Sequence, residues 1–186
     1  MKSLLPETYL ITLISVLVVV AILVGRQLLK VRKDEASLIK LEKAGAGNSD
    51  NSYDLYELAS VQLKKRLYPQ ATATLKKALK EIEEEPMEAK ALLENALGFA
   101  LAAQNDFKAA ILHYRNALKA KEDYPVAINN LAFAKQKLLQ ESEAIDLYKK
   151  VLLIDPKNKT ALKQLKRINR RDPNQSEYKM DNSKGF

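Results

Sequence analysis

The sequence predicts an all-α protein: one N-terminal membrane-spanning helix, then a solenoid of three antiparallel helix pairs closed by a C-terminal capping helix. Three observations carry this. Residues 8–25 contain no charge and are dominated by Leu, Ile and Val. A pattern of small and large residues recurs three times downstream, at spacings of 39 and then 34 residues. The composition, 47% apolar and 6% aromatic with five Gly and six Pro, suits helices.

The first element is the apolar run. Eighteen uncharged residues from Thr8 to Gly25 would span roughly 27 Å as a helix, close to the ~30 Å hydrocarbon core. Val18, Val19 and Val20 would favour a strand in water. In lipid, a lone segment satisfies its backbone only as a helix. Tyr9 stands where an interfacial aromatic belongs. A cleaved signal peptide would have a shorter apolar region and a small-x-small site after it. Here the run passes directly into Arg26, a stop-transfer flank, so residues 1–27 read as a retained anchor. Lys2 is the one basic residue before the run, whereas Arg26, Lys30, Arg32, Lys33, Lys40 and Lys43 follow it, which keeps the C-terminal domain on the cis side. On that side the sequons at Asn158 and Asn174 are incidental.

Residues 28–52 divide into a helical stem patterned on Leu28, Val31, Leu38 and Leu41 and a flexible linker, Gly45 to Ser52. The repeats occupy 53–158, at about 52–85, 91–124 and 125–158. Their second helices carry Ala71, Leu75 and Ala78, then Ala110, Tyr114 and Ala117, then Ala144, Tyr148 and Val151. Their first helices carry Leu58-Ala59, Leu97-Gly98 and Leu131-Ala132. Small residues let two antiparallel helices approach, and the large residue one turn on fills the next groove. The five extra residues of the first spacing are expected in the loop around Glu83, Glu84, Glu85 and Pro86.

With three units in register, residues 52–158 resemble the tetratricopeptide repeat family. The usual first-helix aromatic is missing, its place taken by Leu55, Glu94 and Ile128. Residues 159–171 follow as a seventh helix of the domain, apolar through Ala161, Leu162, Leu165 and Ile168 on one face. Lys163, Lys166, Arg167, Arg170 and Arg171 make its other face basic, and from Lys157 to Arg171 no acid appears. This basic cap is a solvated face or a contact for anionic lipid or an acidic partner. No aromatic platform accompanies it, which argues against nucleic acid. The polar string 172–186 reads as a disordered tail.

Chemistry is sparsely represented. The chain has no Cys and a single His, His113, placed mid-helix with no nucleophile beside it, so no metal site, cofactor or catalytic residue is expected. Paired acids such as Glu84 and Glu85 read as a solvated charge run, and no Gly-rich phosphate loop exists. The expected function is protein binding without catalysis. In the resembled family the first helices line a concave groove, which here presents Tyr53, Tyr56, Ser60 and Lys64, then Asn95, Phe99 and Ala102, then Asn129, Phe133 and Lys137. Aromatics and Asn on such a surface suit a peptide segment. Phe99 and Phe133 also have a simpler reading, as packing between repeats. The Lys/Asn/Arg clamp of chaperone-tail receptors is absent, since the matching positions are Tyr56, Ser60, Ala96, Val126 and Asn130.

A closer resemblance lies in the wording of three segments. They are Glu94-Asn95-Ala96-Leu97-Gly98-Phe99, Asp123-Tyr124-Pro125-Val126-Ala127-Ile128-Asn129-Asn130-Leu131 and Asp155-Pro156-Lys157-Asn158-Lys159-Thr160-Ala161, behind an anchor ending in Arg26-Gln27. Together they resemble the photosystem I assembly proteins of cyanobacteria and plastids. That resemblance implies a thylakoid protein with stromal or cytoplasmic repeats, whose partners are photosystem I subunits or other assembly factors. The alternative is a membrane-tethered repeat adaptor for secretion, cytochrome maturation or pilus assembly.

Overall fold

The computed structural model describes residues 5–43, 49, 51–82 and 86–171, of which 5–7, 34, 42 and 43 are described by backbone alone. The expected tail at 172–186, the acidic run 83–85 and most of the expected linker lie outside the described residues. Eight helices are described, and they fall into two compact units, residues 1–46 and 47–186.

The first unit is α1, Leu5–Lys43. The expected anchor and stem form one unbroken helix, because neither Pro nor a cluster of turn residues interrupts the chain between Arg26 and Lys43. Gly25 sits inside this helix with open space around its Cα. Within Thr8–Leu41 an 18-residue window has a mean hydropathy of 2.6, so the helix is long and apolar enough to cross a membrane. The hydroxyls of Thr12 and Ser15 are satisfied locally. The Thr12 hydroxyl donates to the Tyr9 carbonyl at 2.8 Å, and the Ser15 hydroxyl donates to the Ile11 carbonyl at 2.8 Å. Such internal bonding removes much of the cost of placing a hydroxyl in hydrocarbon.

The second unit holds α2 (Ser52–Lys64), α3 (Tyr68–Lys80), α4 (Met87–Ala103), α5 (Phe107–Ala120), α6 (Pro125–Lys137), α7 (Glu141–Ile154) and α8 (Lys159–Arg171). Each helix packs on its sequence neighbours, and the first helix of each pair also touches the first helix of the next. Local chemistry sets the starts. The Asn51 side chain accepts from the Tyr53 amide at 2.9 Å, Asp106 accepts from the Ala109 amide at 3.1 Å, and Asn158 accepts from the Ala161 amide at 3.1 Å. Pro69 and Pro125 lie in the first turns of α3 and α6, where a missing N–H costs nothing.

Each pair turns through the same geometry. Arg66, Asn105 and Leu139 occupy equivalent positions and adopt φ of 61°, 67° and 61°. After each of them the next amide reaches back to the preceding helix, from Leu67 to Gln62, Asp106 to Leu101 and Gln140 to Lys135, at 2.9, 3.0 and 3.0 Å. The extra length of the first spacing lies mostly elsewhere than expected. α4 has 17 residues where α2 and α6 have 13, so an added N-terminal turn from Met87 absorbs most of it. Pro86 stands just before that turn and starts the helix there.

The pattern that predicted the pairs is the core. Ala59, Ala71, Leu75, Ala78, Leu97, Ala110, Ala117, Ala132, Ala144, Tyr148 and Val151 are all fully buried, and Tyr114 is 2% exposed. One cluster spans α2 to α6, and a second gathers Ile128, Ala132 and Tyr148 with Ala161, Leu165 and Ile168 of α8. Leu118 and Leu147 pack against both clusters and join them. At roughly 1.5–3 kcal/mol per fully buried large apolar side chain, this contact drives the stacking. α8 packs as the sequence predicts, with its basic face outward.

Candidate docking surface

Because second helices spend their apolar stripe on the core, the exposed apolar residues at matching register lie on the first helices. Tyr53, Leu92 and Val126 are equivalent positions of α2, α4 and α6, and they are 68%, 43% and 53% exposed. Phe99 and Phe133 form a second row with Ser60, at 44% and 36% exposure for the two rings. These rows lie one helical turn or so to either side of Tyr56, Asn95 and Asn129.

The middle row is polar and connected. The Asn130 amide donates to the Asn95 side-chain oxygen at 3.0 Å, and the Asn95 amide faces the Tyr124 hydroxyl at 3.4 Å. Burial holds the Tyr124 phenol above its ordinary pKa, nearby Tyr56 adds to that, and the Asn95 hydrogen bond opposes it. Tyr56 and Tyr53 belong to a hollow of about 140 Å³ that Ser52, Ala89, Leu92 and Leu93 complete. Its walls are mostly hydrocarbon with phenol hydroxyls near by, a shape that takes one bulky apolar side chain.

The two phenylalanines are both packed and exposed. Phe99 meets Tyr68 of the preceding pair edge-on, at 6.5 Å between ring centres, and Phe133 meets Phe107 in the same way at 6.5 Å. Tyr68 and Phe107 are themselves equivalent, so an aromatic step repeats from pair to pair. Lys137 lies with Nζ 5.4 Å from the Phe133 ring centre, and Lys64 at the equivalent position is exposed.

Asn129 departs from its expected outward place. It is 8% exposed, and its amide donates to the Asn158 side-chain oxygen at 3.1 Å, so it ties α6 to the start of α8. The cause is the four-residue connection between α7 and α8, which brings Asn158 over that position. Tyr124, Leu92 and Val126 are the additions to the expected groove, Val126 being expected only as a clamp position. Tyr124 precedes its helix, and Leu92 falls in the part of α4 next to the extra turn.

His113 is structural. Its Nδ1 lies 2.7 Å from a Glu94 carboxylate oxygen, and the Asn116 amide donates to the other oxygen at 3.3 Å. Glu94, at the position held by Leu55 and Ile128 in the other pairs, is 7% exposed and thus satisfied from α5. Among the described residues no group of three or more His, Cys, Asp or Glu is placed to hold a metal. On α8, Lys163, Lys166, Arg167, Arg170 and Arg171 are all exposed and, with Leu162, line an open hollow of about 650 Å³.

Comparison with known proteins agrees with this architecture. The tetratricopeptide repeat family matches residues 101–168. Solved structures with the same fold include the second repeat domain of human RPAP3 in complex with an HSP70 peptide, with a TM-score of 0.56 and 21% identity over 62% of this chain and 92% of that one. The first repeat domain of Spaghetti (RPAP3), bound to an HSP90 peptide, has a TM-score of 0.59 and 22% identity over 66% and 94%. Among curated relatives, the chloroplastic tetratricopeptide repeat domain-containing protein PYG7 of Arabidopsis thaliana is 30% identical over 83% of this chain, which spans about half (51%) of that relative's length. The ycf37 protein of Guillardia theta is 28% identical over 89% of this chain and 93% of its own. The ycf37 protein of Cyanophora paradoxa is 33% identical over 75% of this chain and 81% of its own, and the chain therefore belongs to the ycf37 family of tetratricopeptide-repeat proteins.

Proposed function

We propose that this chain is a non-enzymatic, membrane-anchored docking scaffold that assists the assembly or stability of photosystem I, with its repeats on the stromal or cytoplasmic side of the thylakoid membrane. The plastid setting of the relatives supports the compartment. The length and hydropathy of α1 support the anchor. The observation that carries the docking reading is the pair of apolar rows, Tyr53, Leu92 and Val126 beside Phe99 and Phe133, kept exposed at matching register.

The chemistry of the surface defines its partner. An extended segment laid along the first helices would seat an apolar side chain in the hollow between Tyr53 and Leu92 and lay another against the Phe99 and Phe133 edges. Asn95 and Asn130 lie between the rows, where side-chain amides can bond a peptide backbone. The chaperone peptides belong to the structural neighbours. Here the clamp positions hold Tyr56, Ser60, Ala96, Val126 and Asn130, which lack the positive charge an acidic chain end requires.

The test replaces Tyr56, Asn95, Phe99 and Phe133 together by Ala in a chain that remains folded and membrane-inserted. Photosystem I accumulation should fall, and photocrosslinks placed at Tyr53 or Phe99 in native membranes should capture its subunits or their assembly factors. Normal accumulation, or crosslinks to a secretion, cytochrome-maturation or pilus complex, would refute the assignment.

A further inference from the structure

The α8 helix is a first helix without its second. Shifted back by 34 residues, Ala161, Leu165 and Ile168 fall on Ala127, Leu131 and Ala134 of α6, and all six are buried. The same shift places Leu162 on Ile128 and Lys166 on Ala132, two positions that α6 buries in the cluster it shares with α7. No further helix follows α8 among the described residues, so the equivalent face is open. Its Leu162 and Lys166 line a hollow of about 650 Å³ together with Lys163, Arg167, Arg170 and Arg171, which the shift places on Asn129, Phe133, Gln136 and Lys137.

Three features say what this face accepts. Its charge is of one sign: α8 contains no acid, and Lys163, Lys166, Arg170 and Arg171 meet no acidic partner among the described residues. Its crossing point excludes a helix packed as within a pair. The positions equivalent to Lys166 are Ala59, Gly98 and Ala132, and at Gly98 even a Cβ would lie 2.7 Å from the Tyr114 ring. A lysine there holds any such helix away. Its hollow is lined by Leu162 and the aliphatic stems of the basic residues, with the charged ends at the rim. Hydrocarbon below and cations above match an amphiphile with an anionic head.

We propose that the open face of α8 docks on anionic lipid headgroups of the membrane that anchors the chain. This rests on the anchoring part of the proposed function, because tethering by α1 keeps the repeat unit beside a bilayer and makes a weak electrostatic contact effective. Docking by α8 restrains the orientation of the repeats, and with it the direction in which the first-helix rows face a partner.

The chain lacks cysteine, so Lys159→Cys gives a single labelling site on the same side of α8, one turn before Lys163. The labelled full chain is reconstituted into phosphatidylcholine liposomes, or into liposomes where phosphatidylglycerol replaces part of that lipid, each with a headgroup-attached quencher. Quenching is expected with phosphatidylglycerol, reversed in ~1 M salt, where the Debye length shrinks to about 3 Å. Each neutralised charge should lower the docked-to-free ratio about five-fold. The triple variant Lys163→Gln/Lys166→Gln/Arg170→Gln should therefore lose it about 100-fold, while Lys76→Gln/Lys80→Gln/Lys119→Gln should not. Equal quenching in both lipids, or quenching untouched by the triple variant, overturns the proposal. So does a label that stays unquenched but is shielded by an added acidic amphipathic peptide, which would assign the face to a protein. Alkaline carbonate extraction of the same samples reads α1 insertion separately. Quenching is scored whether or not the chain is extracted, so each reading fails on its own result.

Discussion

Gly98 is a point of close approach in the middle helix pair, and Gly98→Ala should destabilise the repeat unit. An added Cβ would sit 2.7 Å from both Cδ1 and Cε1 of Tyr114 and 3.2 Å from the Ala110 carbonyl oxygen. Tyr114 is 2% exposed, so its ring has no solvent-filled space to swing into. Relief must come from separating α4 and α5, and overpacking of this kind costs about 1–3 kcal/mol. Alanine returns up to ~1 kcal/mol through helix propensity, leaving a net loss of about 0–2 kcal/mol. The third pair limits the cost from above, because Ala132 and Tyr148 occupy the same two positions and both are fully buried. The first pair supplies the rescue, with Ala59 and Leu75 there. Tyr114→Leu should therefore offset Gly98→Ala, with a coupling of at least ~1 kcal/mol in a double-mutant cycle. Urea unfolding of residues 47–186, followed by circular dichroism, measures the parent and the three variants. A Gly98→Ala protein more stable than the parent, or strictly additive effects in the cycle, would refute the close-packing argument.

Other outcomes follow from single side chains. Glu94→Ala should cost about 2–3 kcal/mol, since it empties a buried site and strands His113 and Asn116, whereas Glu94→Leu, the residue type of position 55, should cost less in the same urea assay. Burial pushes the Tyr148 phenol up to about 12, with Arg167 pulling it partly back. The unfolded chain ionises first, so stability is intact below pH ~10 and falls by roughly 2–3 kcal/mol on the way to pH ~12, a drop visible in thermal melts. Burial raises Tyr114 as well, so its own loss begins at the same pH and adds to that of Tyr148. Tyr148→Phe should shrink that alkaline loss and leave neutral stability equal or higher, because the Tyr148 hydroxyl is buried without a hydrogen-bond partner among the described residues. Leu139 is 90% exposed at φ 61°, and Leu139→Gly should raise the melting temperature by relieving about 1 kcal/mol of left-handed strain.

The repeat register was legible in the sequence because close packing leaves a durable trace: alanines and glycine at crossings, a large residue one turn on. The turns were not. Of the three equivalent left-handed positions, Asn105 alone carries a residue that signals that conformation, while Arg66 and Leu139 adopt it because helices on both sides dictate it. The extra turn of α4 was hidden for a related reason. Met87-Glu88-Ala89-Lys90 is a good helix sequence, but a spacing count cannot say whether added residues lengthen a loop or a helix. Asn129 shows the limit for the docking surface. Its register is outward, yet its burial depends on Asn158, 29 residues away, and a pairwise side-chain bond leaves no periodic mark.

The same register argument changes the meaning of the basic face. As a sequence, the last helix is an amphipathic cap with lysines and arginines where solvent is expected. In the fold, Lys166 stands where the preceding first helices bury Ala59, Gly98 and Ala132, and its basic neighbours share one open hollow with it. A solvated end needs no more than polar groups there, and glutamates would serve as well as lysines. An end that carries five cations and no anion, over a hollow of hydrocarbon, is selective in charge. That selectivity separates a surface with a ligand from a surface that merely stops the solenoid, and it is why neutralising Lys163, Lys166 and Arg170 should change docking while leaving the stability of α8, held by Ala161, Leu165 and Ile168, nearly as it was.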